Sequence, residues 1–245
     1  MKFQVLVALV KMGLKKLIRQ PTNLFMNLLF PATLTIMFIL AFANPEMGMS
    51  INSVVPGLII YAVIFLIMTI AQSFSSERQD GLLKRLKTTP MTSAEFMGSQ
   101  IITNMLISII QVVVVFSLAY FLGFKPDSGV EGVLLALPIT AIFALSSVGL
   151  GLITATVAKT PEVATGISFV FILPQMFFGT FVPMSSTTQQ IATFIPSFYL
   201  LDALKMIFDG NWMNPNFLLD LAVISIFSIL VVIIGMILFE KYGSA

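Results

Sequence analysis

The residues that could take part in chemistry are gathered in one stretch, Glu77 to Pro90, which reads ERQDGLLKRLKTTP. Glu77 and Asp80 stand there with Arg78, Lys84, Arg85 and Lys87, and Leu82, Leu83 and Leu86 are set among them at helical spacing. At about 100° per residue the three leucines share an arc of about 100°, so the piece is amphipathic, with one apolar and one basic face. It is too short and too charged to span a bilayer. A polar connector needs no apolar face, so the leucines call for a partner surface. One candidate is a soluble protein that grips them; the plainer one is the bilayer surface on which a basic loop rests. In the gripped case Leu82, Leu83 and Leu86 bury, and Lys84 and Arg85 sit at the rim. Gly81 lets the chain turn sharply, and Glu77 fixes the elbow by pairing with a basic residue. Elsewhere the means for catalysis are missing. The chain has no histidine and no cysteine, which removes the commonest general base and the soft metal ligands. It has no G-x-x-x-x-G-K-[ST] run to cradle ATP. No catalytic residue and no metal site is therefore expected in this chain.

The elements that must position that stretch are apolar helices. Of the 245 residues 58% are hydrophobic and 10% charged, against about 25% charged in a soluble domain. Several runs reach the roughly 20 apolar residues of a membrane helix. The expected fold is an all-α membrane protein, one transmembrane domain over residues 1–245 with six spans. Residues 2–20 read as an amphipathic interfacial helix, with Lys11, Lys15, Lys16 and Arg19 on one arc and Phe3, Leu6, Leu14 and Ile18 opposite; Pro21 then turns the chain inward. The spans are expected at about 23–43, 54–74, 96–122, 132–158, 163–182 and 218–239, the fifth interrupted by Pro174. The 77–90 stretch becomes a coupling helix between spans two and three. Residues 183–216 are too apolar for a solvated loop and read as two short re-entrant helices: Gln189 to Ile195, and a second capped by Ser197 and ended by Gly210. In the second, Asp202 and Asp209 flank Lys205 at pairing distance along a helix. Gly149 and Gly151 read as a close-packing seam.

Orientation follows from the cations. Eleven of thirteen lysines and arginines fall on one side of the six-span scheme, and only Lys125 and Lys205 on the other. The rich side is cytoplasmic by the positive-inside rule, and it holds both termini. The approximate span interiors carry amides and hydroxyls and no ionisable group, which weighs against a proton relay or an ion pathway. Among the polar groups near the spans are Gln72, Asn104, Gln111 and Gln175, and helix packing is the plain use for each. Gln72, Gln175 and the aromatic Phe177 are candidates for lining a substrate path.

In its order of features the chain resembles an ABC-2 type permease, the six-span membrane subunit of an ATP-binding-cassette exporter. The resemblance runs over nearly the full length. It rests on the amphipathic start, the ERQDGLLKRLKTTP loop, the Gly149-Leu150-Gly151 region, and Pro183…Pro196…Asp202-Ala203-Leu204-Lys205 before the last span. Lys205 stands where arginine is more usual, with the charge kept. The resemblance implies a docking helix, here Glu77 and Gly81 to Leu86, for a separate ATPase subunit that holds ATP and Mg. It also implies a second permease copy, identical or related, with spans one and five near the interface, in a prokaryotic cytoplasmic membrane. Membrane lipids are its other partners, and no nucleic acid is expected. The small size and lack of a large external domain resemble drug and antibiotic exporters. Export of a lipid, a glycolipid or polysaccharide, or an ion by the same family, and a membrane scaffold that transports nothing, are the alternatives.

Overall fold

A computed structural model describes residues 3–19, 21–42, 50–79, 93–181 and 186–242, and among these it is helical with no strand. The helices are α1 (Phe3–Arg19), α2 (Pro21–Phe42), α3 (Ile51–Ile64), α4 (Leu66–Gln79), α5 (Ser93–Phe121), α6 (Gly129–Val157), α7 (Pro161–Met176), α8 (Ser186–Ala192), α9 (Pro196–Phe208) and α10 (Pro215–Tyr242). Helix α7 runs on into a π turn, Phe177–Phe181. Among the described residues five stretches are long and apolar enough to cross a membrane: Ile51–Gln79, Glu95–Phe121, Gly129–Val157, Pro161–Gly179 and Pro215–Tyr242. Helix α2 adds a shorter apolar run, Leu28–Ala41. The protein is an all-α integral membrane protein. Of the expected coupling helix, Glu77 lies on α4, while Gly81, Leu82, Leu83, Lys84, Arg85 and Leu86 lie outside the described residues.

Helices α3 and α4 form one continuous rod at the centre of the bundle. Ile59, Ile60, Val63, Ile64, Leu66 and Ile67 are fully buried there. Between Val54 and Met68 the rod is apolar all round, and only the interior accepts it on all sides. The rod starts at Ser50, whose Oγ accepts the Ser53 N–H at 3.2 Å. Prolines inside α2, α3, α6 and α7 (Pro31, Pro56, Pro138 and Pro174) do not end those helices, as bundled membrane helices allow. The interruption expected at Pro174 takes the form of the π turn that follows it.

Helix α6 is packed on two opposite faces, and two glycines make this possible. A methyl group on Gly149 would lie 2.6 Å from the Val231 carbonyl carbon and from the Val232 nitrogen on α10. One on Gly151 would lie 2.8 Å from Ile70 Cβ and 2.9 Å from the Ile67 oxygen on the central rod. Two positions apart on a helix is about 200°, so the pair serves opposite neighbours. The α6–α10 contact is the most extensive in the fold, and α6–α4 comes next.

The segment before α10 differs from expectation in two details. The first short helix is Ser186–Ala192, beginning and ending three residues before the expected one. The second starts with Ile195 in the cap position and Pro196 in the first turn, and Ser197 does not cap it. Proline is preset for that first-turn position, and the freed Ser197 Oγ instead donates to the Gln175 carbonyl of α7 at 2.8 Å. The stop at Gly210 has a φ of +71°, a left-handed conformation suited to glycine.

Candidate functional site

The end of the bundle where α4 finishes holds a connected set of polar contacts. Arg78, in the last turn of α4, donates from its guanidinium to the carbonyl of Ala158. Ala158 is the C-cap of α6, with ψ at 132°, so its carbonyl has left the helix ladder and is open to an outside donor. A cation there also meets the negative end of the 29-residue α6. The contact is a charge-assisted hydrogen bond to a helix terminus. Next to it Gln79 Nε2 approaches the Lys159 carbonyl at 3.5 Å.

Two turns back along α4, Gln72 Nε2 donates to Thr165 Oγ1 of α7 at 2.6 Å. That hydroxyl donates in turn to the Pro161 carbonyl at 2.9 Å, so it uses its one proton and one of its acceptor sites. Helix α7 is itself started by Thr160, whose Oγ1 accepts the Val163 N–H at 3.3 Å, with Pro161 in the first turn. Between the two polar contacts lies a patch of fully buried alanines, Ala71, Ala158 and Ala164, with Ile167 against it. Small side chains let the three elements approach closely enough for the hydrogen bonds to form.

On the other side of α4, Glu77 is buried and its Oε1 accepts from Gln100 Nε2 of α5 at 3.3 Å. The rings of Phe74 and Phe96 meet edge to face with centroids 6.0 Å apart, and Phe74 meets Phe239 of α10 at 4.9 Å.

The candidate path residues do not converge. Gln72 sits against Thr165 near the start of α7, whereas Gln175 is ten residues further on, about 15 Å along the axis. Gln175 is buried; its Nε2 donates to the Phe171 carbonyl at 3.4 Å and its Oε1 has no hydrogen-bond partner. Phe177, at the start of the π turn, is half exposed. A small apolar crevice lies elsewhere, lined by Ile59, Val112, Phe116, Val133, Ala136 and Leu137. Asn104 bonds within its own helix, to the Gln100 carbonyl at 2.8 Å.

One charged group corrects the expectation that span interiors hold none. Asp220 lies in the Pro215–Tyr242 span, only 4% exposed, and its Oδ2 has no hydrogen-bond partner among the described residues. It lies inside the span expected at about 218–239, near its start, and that interior is expected to hold no ionisable group. Arg78 and Thr165 are the other residues the sequence did not single out for this site. Arg78 was visible only as one more cation, since a partner that is a main-chain carbonyl leaves no trace in side-chain identity. Among the described residues no group of three or more His, Cys, Asp or Glu could hold a metal ion.

Residues 4–208 match the family model described as ABC-2 type transporter. A daunorubicin resistance ABC transporter permease protein, DrrB1 of Streptomyces coeruleorubidus, is 24% identical over 162 residues. That likeness covers 66% of this chain and 57% of the relative.

Proposed function

The chain belongs to the ABC-2 type transporter family, and from that premise we propose that it is the permease subunit of an exporter that moves an amphiphilic compound outward across a prokaryotic cytoplasmic membrane. The energy comes from ATP, held with Mg on a separate ATPase subunit. The observation that carries the reading is the family match over residues 4–208 joined to the charged, leucine-bearing stretch that follows the central rod. A drug or antibiotic as cargo is supported by the resistance permease to which the chain is similar. Leu82, Leu83 and Leu86 enter a groove of the ATPase, with Lys84 and Arg85 at its rim, Gly81 at the bend and Glu77 as the anchor into the bundle. Burying a leucine contributes roughly 1.5–3 kcal/mol, so three can dominate a small contact. Two permease copies flank the path, and both termini face the cytoplasm, as the distribution of cations supports.

The test is Leu82→Asp and Leu86→Asp in reconstituted membranes, read by pull-down of the ATPase subunit and by substrate-stimulated ATP turnover. Both variants insert normally and lose both readouts, while Lys84→Ala keeps most of each. Wild-type retention of both readouts in the aspartate variants refutes the docking role.

A further inference from the structure

We propose that α4 and α7 move as one body, joined through Arg78 and Gln72, so that a displacement imposed on the chain after Gln79 is delivered to α7 and its π turn and not to α5. The inference rests on the docking role just assigned to the 77–90 stretch and specifies where the motion goes. Three independent contacts make the joint. Arg78 holds the Ala158 carbonyl at the α6–α7 turn, Gln72 holds Thr165 on α7, and the alanine patch closes the space between. They are spread over two turns of α4, so the contact resists rotation as well as sliding. Toward α5 the contact of α4 is sparse and includes the 3.3 Å bond from Gln100 to Glu77 and the edge contact of Phe74 with Phe96; the rod meets α5 mainly through α3.

Helix α7 then carries the displacement along the bundle. Its far end bears Gln175, whose carbonyl accepts from Ser197 of α9, and Gly179, where a methyl group would overlap the Ser197 side chain. The π turn between Phe177 and Phe181 is the irregular link of this rod, and such turns are places where a helix can change its register locally. Motion at Gln79 therefore has a route through α7 to α9 at the opposite end of the bundle, beside the direct contacts of α9 with α3 and α6. Arg78 and Gln72 are positioning residues in this route.

The natural absence of cysteine gives a clean background for the test. In liposomes holding the permease with its co-purified ATPase subunit, the pair Gln72→Cys/Thr165→Cys is joined by oxidation or a short methanethiosulfonate spacer. The bridge forms with and without nucleotide, and transport per ATP stays within about twofold of the reduced sample. Bridging Glu77→Cys/Gln100→Cys, also compared with its own reduced form, lowers transport per ATP by about tenfold, because α4 and α5 must shift against each other. Arg78→Ala keeps the ATPase subunit bound but loses about tenfold in transport per ATP, and Arg78→Lys, which keeps a donor, restores most of it. A 72–165 bridge that forms in only one nucleotide state, or that stops transport, overturns the inference, and so does Arg78→Ala working at the wild-type ratio. Failure of the unsubstituted chain to bind the ATPase subunit or transport with ATP overturns the docking reading instead, and this inference with it. The two failures are told apart because bridging efficiency is read without ATP.

Discussion

At the Gln79 end of the bundle polar side chains of α4 and α5 tie helices together; at the Asp220 end such ties, Asn52 to the Lys125 carbonyl and Ser197 to the Gln175 carbonyl, stand beside buried polar groups and a cluster of rings. Arg78, Gln72 and Gln100 each donate to a residue on another element. At the opposite end Asp220 Oδ2 and Ser128 Oγ are buried without partners. Aromatic rings hold that end: Phe124 meets Phe116 at 5.6 Å and Phe208 at 5.3 Å, both edge to face. Ring contacts are tolerant of small shifts, whereas a hydrogen bond weakens steeply with misalignment. The contrast separates an end where α4 is tied to α6 and α7 by side-chain hydrogen bonds from one where ring packing carries more of the contact.

The contrast can be broken most directly at Arg78. Arg78→Glu places a negative charge against the carbonyl end of α6 and leaves the Ala158 oxygen without its donor, at a cost of about 3 kcal/mol. Thermal unfolding in detergent, followed by gel filtration, will show a lower midpoint. An unchanged midpoint would mean that the junction does not depend on this bond. At the other end the sign reverses. Asp220→Asn keeps the shape of a buried carboxyl whose Oδ2 has no hydrogen-bond partner among the described residues, so stability is kept or rises by up to about 2 kcal/mol. A clear drop in the same assay would reveal a cation held there that the described contacts do not include.

Two smaller changes sharpen the comparison. Gln72→Ala removes one neutral donor and lowers stability by about 1 kcal/mol, and the loss will not add to that of Arg78→Ala if the two contacts hold one joint. A double-mutant cycle on the unfolding midpoints decides this, since full additivity describes two separate contacts. Asn104→Leu changes stability by less than about 0.5 kcal/mol, because its amide serves only its own helix. A loss above about 1 kcal/mol on the same scale would show that Asn104 reaches another helix.

The sequence was readable where one element alone sets the outcome. The apolar runs of α3 to α7 and α10 announce themselves by length and composition, and Gly149 and Gly151 by their spacing, because a seam of small residues has no other economical use in a membrane helix. It was silent where two distant segments meet. Burial of Asp220 depends on α9 and α6 closing over the first turns of α10, which hydropathy at residues 215–220 does not encode. Ser197 followed the rule for a cap, but Pro196 took the first turn and the hydroxyl found a carbonyl 22 residues away. The charged stretch proposed to dock was legible as a pattern, but the bond that Arg78 makes was not. Of its charges, Arg78 proves to be tied into the bundle, through a main-chain oxygen that any residue at 158 would supply.

The close seat of Gly149 on α10 also sets a schedule for assembly. Val231 is made 82 residues after Gly149, which at roughly 5–20 residues per second is an interval of about 4–16 s. Throughout it the glycine face of α6 can meet only lipid, or whatever cares for the unfinished chain, while the face carrying Gly151 already has the α3–α4 rod to rest on. Helix α6 is thus committed on one side and vacant on the other until the last helix enters. Quality control that senses an open helix face would act in that window, and a ribosome that stalls short of residue 231 would leave the protein in its most vulnerable form.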